Sequence, residues 1–299
     1  MAAFGVGLAL RQRPGPQAVE FRGPALPAGV TLSRGTAATR IDANGRIATE
    51  PVDGARFDHD PVTLAVRGLL IEEQATNRLL WSETIGAANW SKIGGTTVST
   101  DAATAPDGSG TADLITQGAG ETGPSQDLVV TAGAAVVQSI YLKAGNPGVV
   151  RLRDSADNHD MVVNLLTGAV MSTSALTHHA CVAVGGGWYR CVIGYVATGT
   201  GITCNPRLVT AGTMLMWGAQ VELGTAAGSY VPTAGAMATR GRDGVTIDWR
   251  MRGVPDGAAT VRYTFDDGTG QSVATTIAGG LASVPTTLAR ARVVRAAIA

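Results

Sequence analysis

The chain has 299 residues, with 23 basic side chains against 23 acidic ones, 40 glycines, 45% hydrophobic and 15% charged residues. Zero formal charge excludes a broad basic field, and with it nucleic acid as the primary partner. So much apolar and so little charged material excludes disorder by charge, and the glycines, lacking a Gly-X-Y period, point to many tight turns.

The chain opens on MAAFGVGLAL, an apolar run followed by Arg11 and Arg13. A secretory signal carries its charge before the apolar run, so the expectation is a product made in the cytoplasm and not exported by that route. An apolar end of this kind is expected to dock on something. No apolar stretch reaches the length of a membrane helix, so no membrane insertion is expected.

Residues 1–76 read as an irregular arm or small β unit that attaches the protein. Pro14, Pro16, Pro24, Pro27, Pro51 and Pro61 break any long helix. Val30 to Ser33 alternates as a half-buried strand does, and Asp42 to Gly45 and Val52 to Gly54 are turn signals. Glu72 to Leu80 is expected to form one short helix.

Residues 77–243 are regular. Val136 to Leu142, Val149 to Arg153 and Met161 to Leu165 read as strands. Alternation places Tyr189, Cys191, Ile193 and Tyr195 on one face of a further strand, and Leu215, Trp217, Ala219 and Val221 on one face of another. Turn chemistry separates the runs at Pro106-Asp107-Gly108, Ala144 to Pro147, Thr167-Gly168 and Gly185 to Gly187. Short strands with frequent turns predict an all-β fold, an antiparallel β-sandwich or jelly roll. No helices alternate with the strands, which disfavours a parallel α/β fold.

Residues 244–299 read as a small C-terminal β region. Val245 to Trp249 and Val261 to Phe265 alternate, Asp266-Asp267-Gly268 turns the chain, and Val273 to Ile277 returns. Arg290, Arg292 and Arg295 follow with no acid after Asp267. They read as an edge strand protected by charge or, more sharply, as a contact for an acidic partner protein.

The odd count of cysteines (Cys181, Cys191 and Cys204) and the lack of a Cys-x-x-Cys pair argue against a disulfide framework or a zinc site; Cys181 and Cys191 read as small core residues. A glycosidase needs two converging carboxylates. Glu72-Glu73 would diverge, Asp266-Asp267 sit on a turn tip, and no nucleophile elbow, Walker loop or His-Glu-x-x-His helix is present. The expectation is a protein that is not an enzyme and carries no cofactor.

A series of motifs runs through the chain in one order. Ser33 to Thr39 and Ala55 to Pro61 lead into Gly68-Leu69-Leu70-Ile71-Glu72-Glu73-Gln74-Ala75-Thr76-Asn77, Leu79 to Glu83 and Asn89-Trp90. Ala105 to Asp113, Ser139 to Gly145, Gly187 to Arg190, Trp217 to Glu222, Ser229 to Thr233 and Thr239-Arg240 complete it. Over about residues 30–245 the chain resembles the phage head spike fibre domain, a carbohydrate-binding-module-like β-sandwich of tailed phages, prophages and gene transfer agents. The resemblance implies a protein of the virion surface, joined to a capsid vertex or spike base and helping the particle adsorb to host capsular polysaccharide. It leaves open a tail fibre or connector with a purely structural role. Because single sugar sites are weak, a homo-oligomer is expected to supply avidity.

Sugar sites combine aromatic faces with planar polar groups. Trp217 alternates in phase with apolar neighbours, Trp188-Tyr189 starts a strand and Trp81 follows two leucines, so core or packing roles are expected for all three. Trp90, in the polar stretch Asn89 to Lys92, is the candidate platform. Asp154 to Asp160 is the densest polar cluster. It reads first as a solvated hairpin loop, with Asp157, Asn158 and His159 as candidate sugar ligands; it could order Ca²⁺ but lacks the spacing of a calcium hand, and no metal is expected. His178 and His179 would point to opposite faces and are not expected to chelate one ion.

Overall fold

The computed structural model describes residues 17–118 and 120–299, so the expectation that Met1 to Leu10 docks lies outside the described residues. Among the described residues the protein is built from antiparallel strands, and its one helical piece is the 3-10 turn Arg250–Arg252. No helix among these residues is long and apolar enough to cross a membrane.

The central residues form the expected β-sandwich. One layer is a six-stranded sheet in the order His178–Ala183, Trp188–Val196, Ala135–Ala144, Gly212–Leu223, Ala112–Gln117 and Thr97–Ala103. The facing layer has two pieces. Ala169–Ser174, His159–Asn164, Val149–Asp154 and Arg207–Leu208 make one, and Gly201–Cys204, Pro124–Val129 and Ser91–Lys92 the other. Val136, Leu142, Ile193 and Met216 of the first layer share a buried cluster with Val150, Leu152, Val163, Ile202 and Leu208 of the second. The alternation of Val150, Leu152 and Asp154 against Arg151 and Arg153 sends every second side chain inward.

One face assignment from the sequence is overturned. Trp217 and Leu215 pack on the outer face of the six-stranded sheet with Tyr141, Trp188 and Tyr230, whereas Ala219 and Val221 lie in the inner core. The register against Ala135–Ala144 shifts between Ser139↔Gln220 and Tyr141↔Trp217, and Gly218 in this bulge has φ 61°. The extra residue reverses which side the chain presents, and a left-handed backbone at that point favours glycine. A Cβ on Gly218 would also stand 2.9 Å from Tyr141 Cδ2.

The arm and the C-terminal region are not separate appendages. Phe57–His59 and Val66–Leu70 pair into one sheet with Arg292–Ile298, Gly257–Phe265 and Gly270–Ile277, and Ala18–Glu20 joins the same sheet through Arg292–Ile298. Val30–Ser33, Gly244–Asp248 and Leu281–Val284 form a second sheet. Phe21, Leu69, Ile247, Trp249, Val261, Phe265 and Val293 pack between the two. The ends of the chain therefore build one β module with its own core, and the sandwich is inserted in its middle. The N-terminal arm and the C-terminal region, expected as two units, thus share sheets and one core.

The helix expected over Glu72 to Leu80 does not form. Ala75–Asn77 is a strand paired with Ala238–Arg240. The Asn77 amide nitrogen donates to the carbonyls of Ala219 (3.0 Å) and Val231 (2.8 Å), and its oxygen accepts from Leu79 and Val221 N–H, both at 3.1 Å. These tertiary bonds hold the segment extended and leave no partner for a helical turn.

Both readings of the C-terminal arginines also change. Arg292–Ile298 is an interior strand, not an edge. Arg290 pairs with Asp266 at 3.0 Å, Arg292 with Asp58 at 2.6 Å and Arg295 with Glu20 at 2.9 Å, so their charge is met within the chain. Cys191 is buried beside half-buried Cys181 with the sulfurs 3.7 Å apart, and both pack with the inner core as expected.

Candidate functional site

The two modules meet at a buried ionic junction. Arg56 Nη1 lies 2.6 Å from Glu72 Oε2, and its Nη2 lies 2.5 Å from Asp243 Oδ2. Arg34 Nη1 reaches the other oxygen of Asp243 at 3.0 Å, and Arg240 Nε stands 3.6 Å from Glu72. Ser229 donates to Glu72 through its N–H and its hydroxyl, both at 2.8 Å. Burial alone would raise the Glu72 carboxyl, but Arg240, Arg56 and the Ser229 bonds hold it down at about 2. Glu72 and Asp243 sit on the two connections between the modules, so the network ties both crossings to one point.

Beside it, Arg190 donates to Ser139 Oγ (2.9 Å) and Gly228 O (2.7 Å), and lies 5.5 Å over the Tyr141 ring. Tyr141, Trp217 and Tyr230 pack edge to face or tilted, with centroids 4.8–6.1 Å apart. Arg34, Arg56, Glu72, Asn77, Tyr141, Trp217 and Tyr230 all belong to the motif series, and all are buried. Those motif residues hold the fold and the junction together.

Sugar contact by stacking also changes. Trp90 is 1% exposed, packs in the sandwich core, and donates its Nε1–H to Trp81 O at 3.1 Å. Trp90 lies in the bend that precedes the strand Ser91–Lys92 and is buried, whereas Asn89 and Ser91 on either side of it are exposed. It is therefore not a surface platform. Among the described residues every aromatic side chain is buried except Trp81 and Tyr189, which are half-buried.

The polar cluster divides. His159 is 5% exposed, stacked on Tyr195 with centroids 4.3 Å apart, and is removed from the candidate sugar ligands. The solvated hairpin turn is confined to Ser155 to Asn158, while Asp154, at the strand end before it, is fully buried. Burial pushes the Asp154 carboxyl up, against the N–H groups of Thr203 and Ala156 that Oδ1 accepts at 2.8 and 3.0 Å. Asp157 stays half-buried and accepts the Thr198 N–H at 2.9 Å; bonds from Thr198 hold its carboxyl low. Asn158 is exposed and accepts from Arg153. His178 packs over Gly194 and His179 is exposed, so the two histidines do not converge.

An open polar surface lies next to this hairpin. A groove of about 320 Å³ crosses the outer face of the Gly201–Cys204, Pro124–Val129 and Ser91–Lys92 sheet, and Ser155 contributes to its lining. Glu121, Asp127, Thr203, Asn205 and Arg207 supply carboxylate, hydroxyl, amide and guanidinium groups there. Thr203 Oγ1 donates to Asp127 at 2.8 Å, and Arg207 Nη2 donates to Ser155 Oγ at 2.7 Å. Burial and the nearby Arg153 lower the Arg207 pKa. Val129, 75% exposed, adds apolar surface on the same strand as Asp127. Apart from Ser155, in the polar cluster Asp154 to Asp160, none of these residues was singled out from the sequence. The available signal was alternation: Ile202 and Cys204 point inward, so Thr203 must point out.

No family model matches the chain, and no curated protein matches it. Solved structures give distant likenesses. The CBM22-1–GH10 modules of Clostridium thermocellum xylanase 10B with xylohexaose align at 14% identity over 50% of this chain and 28% of that one, with a TM-score of 0.32. The CBM22-1 xylan-binding domain of Paenibacillus barcinonensis Xyn10C aligns at 20% identity over 51% of this chain and 94% of that one, with a TM-score of 0.30. Its CBM22-1–CBM22-2 tandem aligns at 15% identity over 74% and 88%, with a TM-score of 0.31. Scores this low carry no argument about fold or ligand. The sandwich stands on its own strands and core.

Proposed function

We propose that the protein is a virion surface spike whose sandwich binds host capsular polysaccharide in the groove lined by Asp127, Thr203 and Arg207. The reading rests on the ordered motif series from Ser33 to Arg240, which resembles the head spike fibre domain. The groove adds groups a pyranose chain can use: carboxylate, hydroxyl, amide and guanidinium side chains on an open sheet face. In this reading the protein works without catalysis. Glu72 is held by Arg56, and Asp266 by Arg67 and Arg290, so neither is free for acid–base work. Copies on one particle multiply weak sites into stable adsorption, which makes the spike a homo-oligomer joined to other virion proteins at the particle surface.

The full chain on a capsular glycan array is expected to bind, and Asp127→Ala with Arg207→Ala is expected to abolish binding with folding intact. Particles lacking the protein should assemble and adsorb poorly to capsulated cells; normal adsorption overturns the reading. A second reading, a connector that only joins virion proteins, draws on the lack of a fully exposed aromatic platform among the described residues. Silence on the array, with particles that lack the protein losing assembly, favours it.

A further inference from the structure

The end of the hairpin formed by Val149–Asp154 and His159–Asn164 carries polar chemistry that the groove does not use. Asp154 and His159 are direct cross-strand partners, and both point into the sandwich, in phase with Leu152 and Met161. The intervening turn brings Asp157 back over them. Ligand atoms from Asp154, Asp157 and His159 lie within 4.8 Å of one another, and His159 Nε2 is 4.0 Å from Asp157 Oδ2.

Two of these atoms are buried without a hydrogen-bond partner: Asp154 Oδ2 and His159 Nε2. A buried polar atom left unpaired costs on the order of 1–3 kcal/mol, so each calls for an explanation. The rest of each side chain is already committed. Asp154 Oδ1 accepts two backbone N–H groups. His159 Nδ1 faces Ala175 O at 2.7 Å, and a carbonyl can only accept, so the proton sits on Nδ1. In the neutral ring Nε2 is then the nitrogen with the lone pair, and the stacked Tyr195 ring fixes its direction. A backbone carbonyl on one imidazole nitrogen is the arrangement that presents the other nitrogen to a metal.

We infer that Asp154, Asp157 and His159 bind one divalent first-row transition ion, with zinc the best fit. Two carboxylate oxygens and an imidazole nitrogen suit zinc, whereas calcium takes six to eight oxygens. Ligand bonds of about 2.0–2.2 Å require the three side chains to close by roughly 1 Å, within reach of small rotations. Three protein ligands leave a fourth position for water on the side of half-buried Asp157. Because Asp157 also holds the Thr198 N–H, the ion fastens the hairpin end to the loop that follows Trp188–Val196. This inference is independent of glycan binding.

The test uses the full untagged chain stripped with EDTA and titrated separately with zinc, calcium and magnesium chloride by calorimetry and thermal melting. One zinc per chain and a rise in Tm are expected, with no comparable shift from calcium or magnesium. His159→Gln should weaken zinc binding at least about ten-fold. Asp157→Asn, at a half-buried position whose loss leaves the core intact, should do the same while keeping the Tm of the stripped protein. His179→Ala, at an exposed histidine outside the cluster, should change nothing. No zinc uptake, uptake unaffected by Asp157→Asn and His159→Gln, or a calcium shift in place of a zinc shift overturns the inference.

Discussion

The module junction and the outer groove are made from the same residue types, and they behave as opposites. At the junction Arg34, Arg56, Glu72 and Asp243 are buried, and each charge meets a counter-charge within 3.0 Å. In the groove Asp127 accepts a bond from Thr203, and Arg207 donates to Ser155, all at a surface that water reaches. A paired charge in a dry interior locks geometry, because removing either partner strands the other. The same charge at an open sheet face keeps lone pairs and N–H groups free for a ligand. Polarity in this protein marks architecture in one place and availability in the other; burial decides which.

The comparison can be broken most forcefully at Arg56. Arg56→Met leaves Glu72 and Asp243 as buried carboxylates without their shared cation, and a loss of about 3–5 kcal/mol in urea unfolding is expected. A loss under about 1 kcal/mol would put the junction in the same class as the surface.

Acid should act on the same point. The folded Glu72 carboxyl sits at about 2, below its ordinary value of 4.5, so it contributes stability that is complete above about 4.5 and is lost as the pH falls toward 2. The gap in stability between the wild type and Glu72→Gln should therefore shrink across that window. Burial raises Glu83, Asp113 and Glu222, which act with the opposite sign, so the difference between the two proteins is the quantity to follow.

A smaller effect belongs to the bulge. Gly218→Ala forces a side chain into a left-handed backbone and against Tyr141 Cδ2 at 2.9 Å, and should cost roughly 1–2 kcal/mol. In the groove, Asp127→Ala should leave the melting behaviour unchanged within about 0.5 kcal/mol and alter only glycan binding. A large stability loss there would erase the distinction between the two regions.

The alternation of Val30 to Ser33, of Val149 to Arg153 and of Val261 to Phe265 was readable because each strand has one wet and one dry face, and a period of two records that difference. Trp217 and Ala219 defeated the same reasoning, since a bulge changes the phase without leaving a distinctive pattern. Trp90 misled because its neighbours Asn89 and Ser91 are exposed while the bend turns its own side chain into the core. Asp157 and Asn158 remain near the surface, while His159 and Asp154, close by on the same hairpin, turn inward.

By itself, the sequence determined most strands, the turns and the all-β class, because these follow from local periodicity and backbone preference. Only the tertiary structure decided that the two ends of the chain share one core, that the C-terminal arginines are met by Asp58, Asp266 and Glu20, and that Glu121, Asp127, Thr203 and Arg207 line one groove. Those outcomes join residues up to more than two hundred positions apart. They depend on strand pairing and on burial, which no local pattern encodes.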